Sequence, residues 1–164
     1  MLYSTSEEST LALGMSLASM LTWGQTLALY GDLGAGKTVL SRGIARGLGV
    51  TEAITSPTFT IVQEYRLPEH HFLFHLDMYR IDNEEAALAF GIEDFLFAPD
   101  AITVVEWPER IKGLLPDGET IVVTLEHKGE GLRQISLPEA VEKALQQKGL
   151  PEGFLSSSRR GAVL

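Results

Sequence analysis

Apolar positions along this 164-residue chain alternate between a helical period and short continuous runs. Leu13, Leu17 and Met20 recur at helical spacing with Leu21 beside them, which predicts an amphipathic helix from Ser6 to about Leu21. Ahead of it, Thr5-Ser6-Glu7-Glu8 reads as a capping box, with the Thr5 hydroxyl serving one backbone N–H and Glu8 reaching back. Thr26–Tyr30 is an apolar run ending at Gly31, as a buried strand would be, and a second helical pattern runs from Lys37 to Leu48, with Gly49 placed to stop it. Thr58–Tyr65 and Phe72–Leu76 read as strands on either side of Pro68 and a polar stretch. Asn83–Phe90 is a short helix capped by Asp82 or Asn83 and ended by Gly91, and Ala101–Val105 is a buried strand closed by Trp107-Pro108. Ile121–Leu125 and Gln134–Leu137 are the last strands, and Pro138–Gln147 is the last helix, with proline in its first turn. Strands interleaved with helices predict an α/β sheet that is at least partly parallel, with an antiparallel portion late in the chain. There is no internal repeat. One domain is expected over residues 1–150, followed by a polar, flexible tail over 151–164 that contains Ser156–Gly161.

Composition narrows the function classes. Hydrophobic residues at 45% and charged residues at 21% describe a globular chain, and no apolar run approaches the length of a membrane span. The absence of cysteine excludes disulfides, thiolate nucleophiles and cysteine-ligated metals. Thirteen Lys and Arg against 22 Asp and Glu give a net charge of −9, which argues against unaided binding to DNA or RNA. The acidic N-terminus lacks the basic-then-apolar pattern of a signal peptide, so a cytoplasmic protein is expected. His70, His71, His75 and His127 show no metal-ligand spacing and read as ordinary strand or loop histidines.

The sharpest signal is Gly31-Asp32-Leu33-Gly34-Ala35-Gly36-Lys37-Thr38, which fills every position of G-x-x-x-x-G-K-[ST] between an apolar strand and a helix. Glycines let successive backbone N–H groups turn toward a phosphate that a Cβ would crowd. The helix opening at Lys37 adds its positive end, Lys37 a full charge, and the Thr38 hydroxyl a ligand for Mg²⁺. The motif predicts a P-loop NTPase-like three-layer fold, with a central mixed, partly parallel sheet flanked by helices. The single asparagine, Asn83, precedes Glu84-Glu85, so no Asn-Lys-x-Asp guanine reader is present and ATP is the expected nucleotide. A carboxylate is also needed at a neighbouring strand end. Asp77 ends one strand and Glu106 another, and the residues leave open which of them meets the metal. Thr55-Ser56-Pro57-Thr58-Phe59 offers hydroxyls in a switch-like position, and Tyr79-Arg80 places a cation by the same sheet edge.

The P-loop together with Ser56-Pro57-Thr58-Phe59, His75-Leu76-Asp77-Met78-Tyr79-Arg80, Gly91-Ile92-Glu93-Asp94 and Glu106-Trp107-Pro108-Glu109 resembles the TsaE (YjeE) family in order and spacing, from about Thr5 to Arg133. The resemblance implies a small bacterial ATPase in the pathway that makes N6-threonylcarbamoyladenosine at position 37 of tRNAs reading codons that begin with A. It implies docking on the TsaD–TsaB pair, which performs the transfer from an adenylate made by a separate synthase, with ATP hydrolysis resetting that pair. tRNA is then met only through the complex, which suits the acidic charge. By the same resemblance the nucleotide contacts run from Gly31 through Thr38 to Val39, Thr38 and Glu106 hold Mg²⁺, and Asp77 is the Walker B carboxylate. Ser56 and Thr58 would lie in a switch-like loop, Trp107 beside the nucleotide, and Glu7 and Arg133 among its further contacts. Two other readings are open. A P-loop kinase for a small molecule would carry an arginine-rich lid, and between Gly49 and Arg110 there are only Arg66 and Arg80. A non-hydrolysing ATP-dependent binding switch would use the same cradle.

Overall fold

The computed structural model describes residues 1–54 and 60–156. The expectations for Ser56 and Thr58 therefore lie outside the described residues, as does the tail from residue 157. Among the described residues, five α-helices pack on one eight-stranded sheet. The strands are β1 (Leu2–Ser4), β2 (Thr26–Tyr30), β3 (Val62–Leu67), β4 (His71–Asp77), β5 (Ala101–Glu106), β6 (Thr120–His127), β7 (Arg133–Ser136) and β8 (Phe154–Ser156). The helices are α1 (Glu7–Ala18), α2 (Lys37–Gly47), α3 (Glu84–Ala89), α4 (Ile92–Leu96) and α5 (Glu139–Lys148).

The sheet order is β3-β4-β5-β2-β6-β7-β1-β8. β4, β5, β2 and β6 are mutually parallel, and the two wings are antiparallel. All six residues of β5 are buried, as a central parallel strand covered on both faces requires. One core joins α1, α2 and α5 to Leu27, Leu29, Ile102, Val104, Val123 and Leu125 of the sheet. A second joins Phe74, Leu76 and Val105, on the opposite face of β4 and β5, to α3, α4 and the Pro108–Leu114 turn. The expected α/β, three-layer, partly parallel architecture is what forms.

Four local differences have physical causes. The cap of α1 is one residue later than the Thr5–Glu8 frame: Ser6 Oγ accepts from the Ser9 N–H, and Ser9 Oγ accepts from the Ser6 N–H, both at 3.1 Å. Thr5 is instead engaged with the segment that leads into β8, since its N–H and its hydroxyl both donate to the Gly153 carbonyl, at 3.1 and 3.0 Å. Residues 154–156, expected within the polar tail, form β8 on the edge of β1, and Phe154 packs against the main core. Gly91, at φ +72°, ends one helix but also opens α4, because its left-handed backbone reverses the chain without stopping it.

The approach of α1 to α2 sets where the P-loop helix sits. A Cβ at Gly14 would lie 2.5 Å from the Leu40 carbonyl oxygen, and one at Gly43 would overlap the Leu11 carbonyl oxygen. Gly43→Val is therefore expected to cost about 3 kcal/mol, because two backbones must part to admit it. Gly49→Ala, with nothing within 4 Å of the new Cβ, is expected to cost only about 1 kcal/mol through its φ of +96°. Urea unfolding of the two variants side by side checks the contrast.

Candidate nucleotide-binding site

The Gly31–Thr38 loop leaves β2 at the end of the parallel core and enters α2 directly. Gly31, Gly34 and Gly36 take φ values of +148°, +80° and +106°, a backbone that side-chain-bearing residues resist. A Cβ at Gly36 would lie 2.8 Å from Arg133 Nε, so that glycine also makes room for the arginine from β7. Among the described residues the first backbone bond of α2 runs from Leu40 N–H to the Gly36 carbonyl at 3.0 Å. The earlier N–H groups of the helix are left pointing out of its N-terminus, where an anion is stabilised.

Lys37 is 6% exposed and folded back on its own loop. Its Nζ donates to the carbonyls of Gly31 and, at 3.1 Å, Asp32, and sits 4.1 Å from the centroid of the Trp107 ring. Burial pushes the Lys37 ammonium below the ordinary lysine range, while Glu106, Glu109, Asp32 and Asp77 pull it back up. Trp107 lies in the left-handed region at φ +57°, ψ +49°, between the buried Glu106 and Pro108. Pro108 disfavours right-handed helical geometry at Trp107, which occupies instead a strained well that costs about 1–2 kcal/mol. That backbone sets the indole against the Lys37 ammonium, and the Tyr79 ring centroid lies 5.0 Å from that of the indole.

Asp77 and Glu106 are register partners at the tips of adjacent parallel strands. The two tips are tied together by the Met78 N–H donating to the Glu106 carbonyl at 3.0 Å. The Tyr79 N–H donates to Asp77 Oδ1 at 3.0 Å, which turns that carboxylate at the strand end. Glu106 is 3% exposed, and its Oε1 accepts from Thr38 Oγ1 at 3.4 Å, Ser41 Oγ at 3.3 Å and His75 Nε2 at 3.3 Å.

These groups enclose a cleft of about 360 Å³ lined by Leu33 to Val39, Thr60, Ile61, Asp77, Tyr79, Arg80, Glu106, Trp107 and Arg133. Most of the residues expected from sequence thus meet in one place. Glu7 does not line the cleft. Its carboxylate, at the start of α1, stands 4.0 Å from Arg42 Nη1 of α2. The residues not anticipated are His75 and Ser41 behind Glu106. The His75–Asp77 spacing held the signal for the first, because residues two apart on a strand share a face. Among the described residues no helix is long and apolar enough to cross a membrane.

A family model described as threonylcarbamoyl adenosine biosynthesis protein TsaE matches residues 4–135. A Nostoc protein named tRNA threonylcarbamoyladenosine biosynthesis protein TsaE is 41% identical over 137 residues, covering 80% of each chain. The Bacillus subtilis protein of the same name is 38% identical over 132 residues, 79% of this chain and 78% of that one. The crystal structure of Bacillus subtilis YdiB superposes with a TM-score of 0.71 at 29% identity, over 90% of this chain and 95% of the other. With the P-loop, the two strand-tip carboxylates and the Glu106–Trp107 turn in one cleft, and with these matches over most of its length, the chain belongs to the TsaE family of tRNA threonylcarbamoyladenosine biosynthesis proteins.

Proposed function

We propose that this protein binds Mg-ATP in the Gly31–Thr38 cradle and hydrolyses it as the ATPase subunit of a tRNA-modifying assembly. Its partners are TsaD and TsaB, in the cytoplasm, and the product is N6-threonylcarbamoyladenosine at position 37 of tRNAs reading codons that begin with A. The observation that carries the reading is the convergence of the P-loop, Asp77 and Glu106 on one cleft through the parallel register of β4, β5 and β2.

The donor set suits a hard divalent cation: the Thr38 hydroxyl and the carboxylates of Glu106 and Asp77 are all oxygen ligands, and substrate phosphates complete such sites. Magnesium held by these residues would supply positive charge that offsets the charge of the nucleotide's phosphates. The chain's own residues do the rest. The N–H groups at the start of α2 bind the phosphate oxygens, and Lys37 leaves the Gly31 and Asp32 carbonyls to neutralise charge that grows on the γ-oxygens. Arg133, beside Gly36, brings a second cation to the same edge. A carboxylate oxygen of Glu106 orients the attacking water, and the Trp107 ring closes the side of the cleft to bulk solvent.

The test is multiple-turnover formation of threonylcarbamoyladenosine on tRNA with TsaD, TsaB, the adenylate synthase and ATP, with and without this protein. The expected result is modification that continues past one round only when the protein is present. No effect on rounds, with ATP binding intact, would remove the proposal and direct attention to a phosphoryl acceptor.

A further inference from the structure

Glu106 is almost wholly buried, and only one of its two oxygens accepts hydrogen bonds from the described residues. Among the described residues, three donors converge on Oε1 and none on Oε2. Two of the three have other engagements. The single hydroxyl hydrogen of Ser41 has a closer acceptor in the Lys37 carbonyl, at 2.9 Å against 3.3 Å. Thr38 stands in the cleft itself, where its hydroxyl changes partners when the site fills. His75 is different. It is 2% exposed, fixed in β4, and its other ring nitrogen, Nδ1, is buried with no hydrogen-bond partner.

That orphan nitrogen identifies the tautomer of the neutral ring. With the hydrogen on Nε2, the imidazole donates to the carboxylate. With it on Nδ1, two acceptors would face each other at 3.3 Å and an N–H would be stranded in the core. The register explains how the pair meets. Asp77 lies opposite Glu106, and His75 lies one step back on the same face of β4, opposite Val104. The chain therefore places Asp77 at the rim of the cleft and His75 directly behind its buried carboxylate.

We propose that His75 is a positioning residue: its Nε2–H holds Glu106 by Oε1, so that Oε2 is the oxygen presented to the cleft. The inference rests on the ATPase reading for its catalytic consequence, but its binding consequence stands separately. A carboxylate held by one oxygen cannot swing, and its lone pairs meet a cation or a water without reorganisation.

The test uses three variants of the full chain. His75→Leu keeps an apolar volume in the strand and removes the donor. His75→Gln carries an amide nitrogen out to the position of Nε2, and His75→Asn has the same amide one carbon too short. Calorimetry measures ATP affinity with and without Mg²⁺, and steady-state kinetics measure kcat and KM. In His75→Leu and His75→Asn, the Mg²⁺-dependent gain in ATP affinity is expected to fall by about tenfold and kcat by about 10- to 100-fold, with Mg²⁺-free ATP binding unchanged. His75→Gln is expected to recover most of both losses. Equal behaviour of the Gln and Asn variants, or losses that follow only the melting temperature, would show a packing role and overturn the proposal. Should His75→Leu fail to fold, the Gln–Asn contrast decides alone. If the wild-type protein gains ATP affinity from Mg²⁺ but does not hydrolyse ATP even with TsaD and TsaB present, the ATPase reading fails while the binding contrast still judges His75. Wild-type hydrolysis with kcat and Mg²⁺ gain unaltered in all three variants removes His75 and leaves the ATPase reading in place.

Discussion

Lys37→Ala is expected to lower ATP turnover by about two to three orders of magnitude and to end multiple-round modification, while leaving the melting temperature at neutral pH no lower than that of the parent. The first half follows from the loss of the cation nearest the growing γ-phosphate charge. The second half follows from the direction of the Lys37 shift. Burial disfavours its charged form, so its folded pKa lies below the 10.5 of the unfolded chain. Between the two values the unfolded state binds more protons, and stability rises as pH climbs through that alkaline window. Below the folded pKa, neutral pH included, the cost of holding the charge is present in full. Alanine removes that cost, and the carbonyls of Gly31 and Asp32 that Lys37 had occupied border the open loop where water can replace it. Melting curves from pH 7 into the alkaline range should therefore be flatter for the variant. A fall of more than about 5 °C at pH 7, which is more than 1 kcal/mol for a domain of this size, would mean that the cation holds the loop together in its empty state.

Glu106→Gln is expected to keep Mg²⁺-free ATP binding within a few-fold, to lose about tenfold or more of the Mg²⁺-dependent gain in affinity, and to reduce hydrolysis by about 100- to 1,000-fold. The amide has the shape of the carboxylate and can still accept through its oxygen, so Thr38, Ser41 and His75 need not be left without a partner. What disappears is the negative charge that, in the proposed mechanism, orients the attacking water. The same variant separates two mechanisms in the modification assay. If successive rounds fail along with hydrolysis, ATP cleavage drives the cycle. If rounds continue without hydrolysis, ATP licenses docking and the protein is a binding switch. Persistent hydrolysis would move the essential role to Asp77, the neighbour across the β4–β5 ladder.

What was legible in the sequence had a local cause. The P-loop is contiguous, and three glycines whose backbone must be left-handed announce it without help from the fold. Asp77 and Glu106 could be placed at strand ends because each closes an apolar run. α2 was readable because its glycine entry, apolar face and Gly49 all lie within one stretch of chain. β1 and β8 were not readable, since three residues show no period; β1 is a strand only because β7 and β8 lie alongside it, and β8 only because β1 does. The α1 cap was misplaced by one residue because Thr5, a good capping residue, is taken by the Gly153 carbonyl, a partner 148 positions away.

The amino-acid sequence by itself determined the groups available to this protein: a glycine-rich loop, a lysine, a threonine hydroxyl and two strand-end carboxylates, each specified by its immediate neighbours. The tertiary structure decided how those groups face one another. Parallel register puts Asp77 beside Glu106 and sets His75 behind it, and the antiparallel β6–β7 pairing brings Arg133 from the wing of the sheet onto Gly36. Strand order and register arise from burial of apolar side chains summed over the whole sheet, a sum no short window of sequence contains.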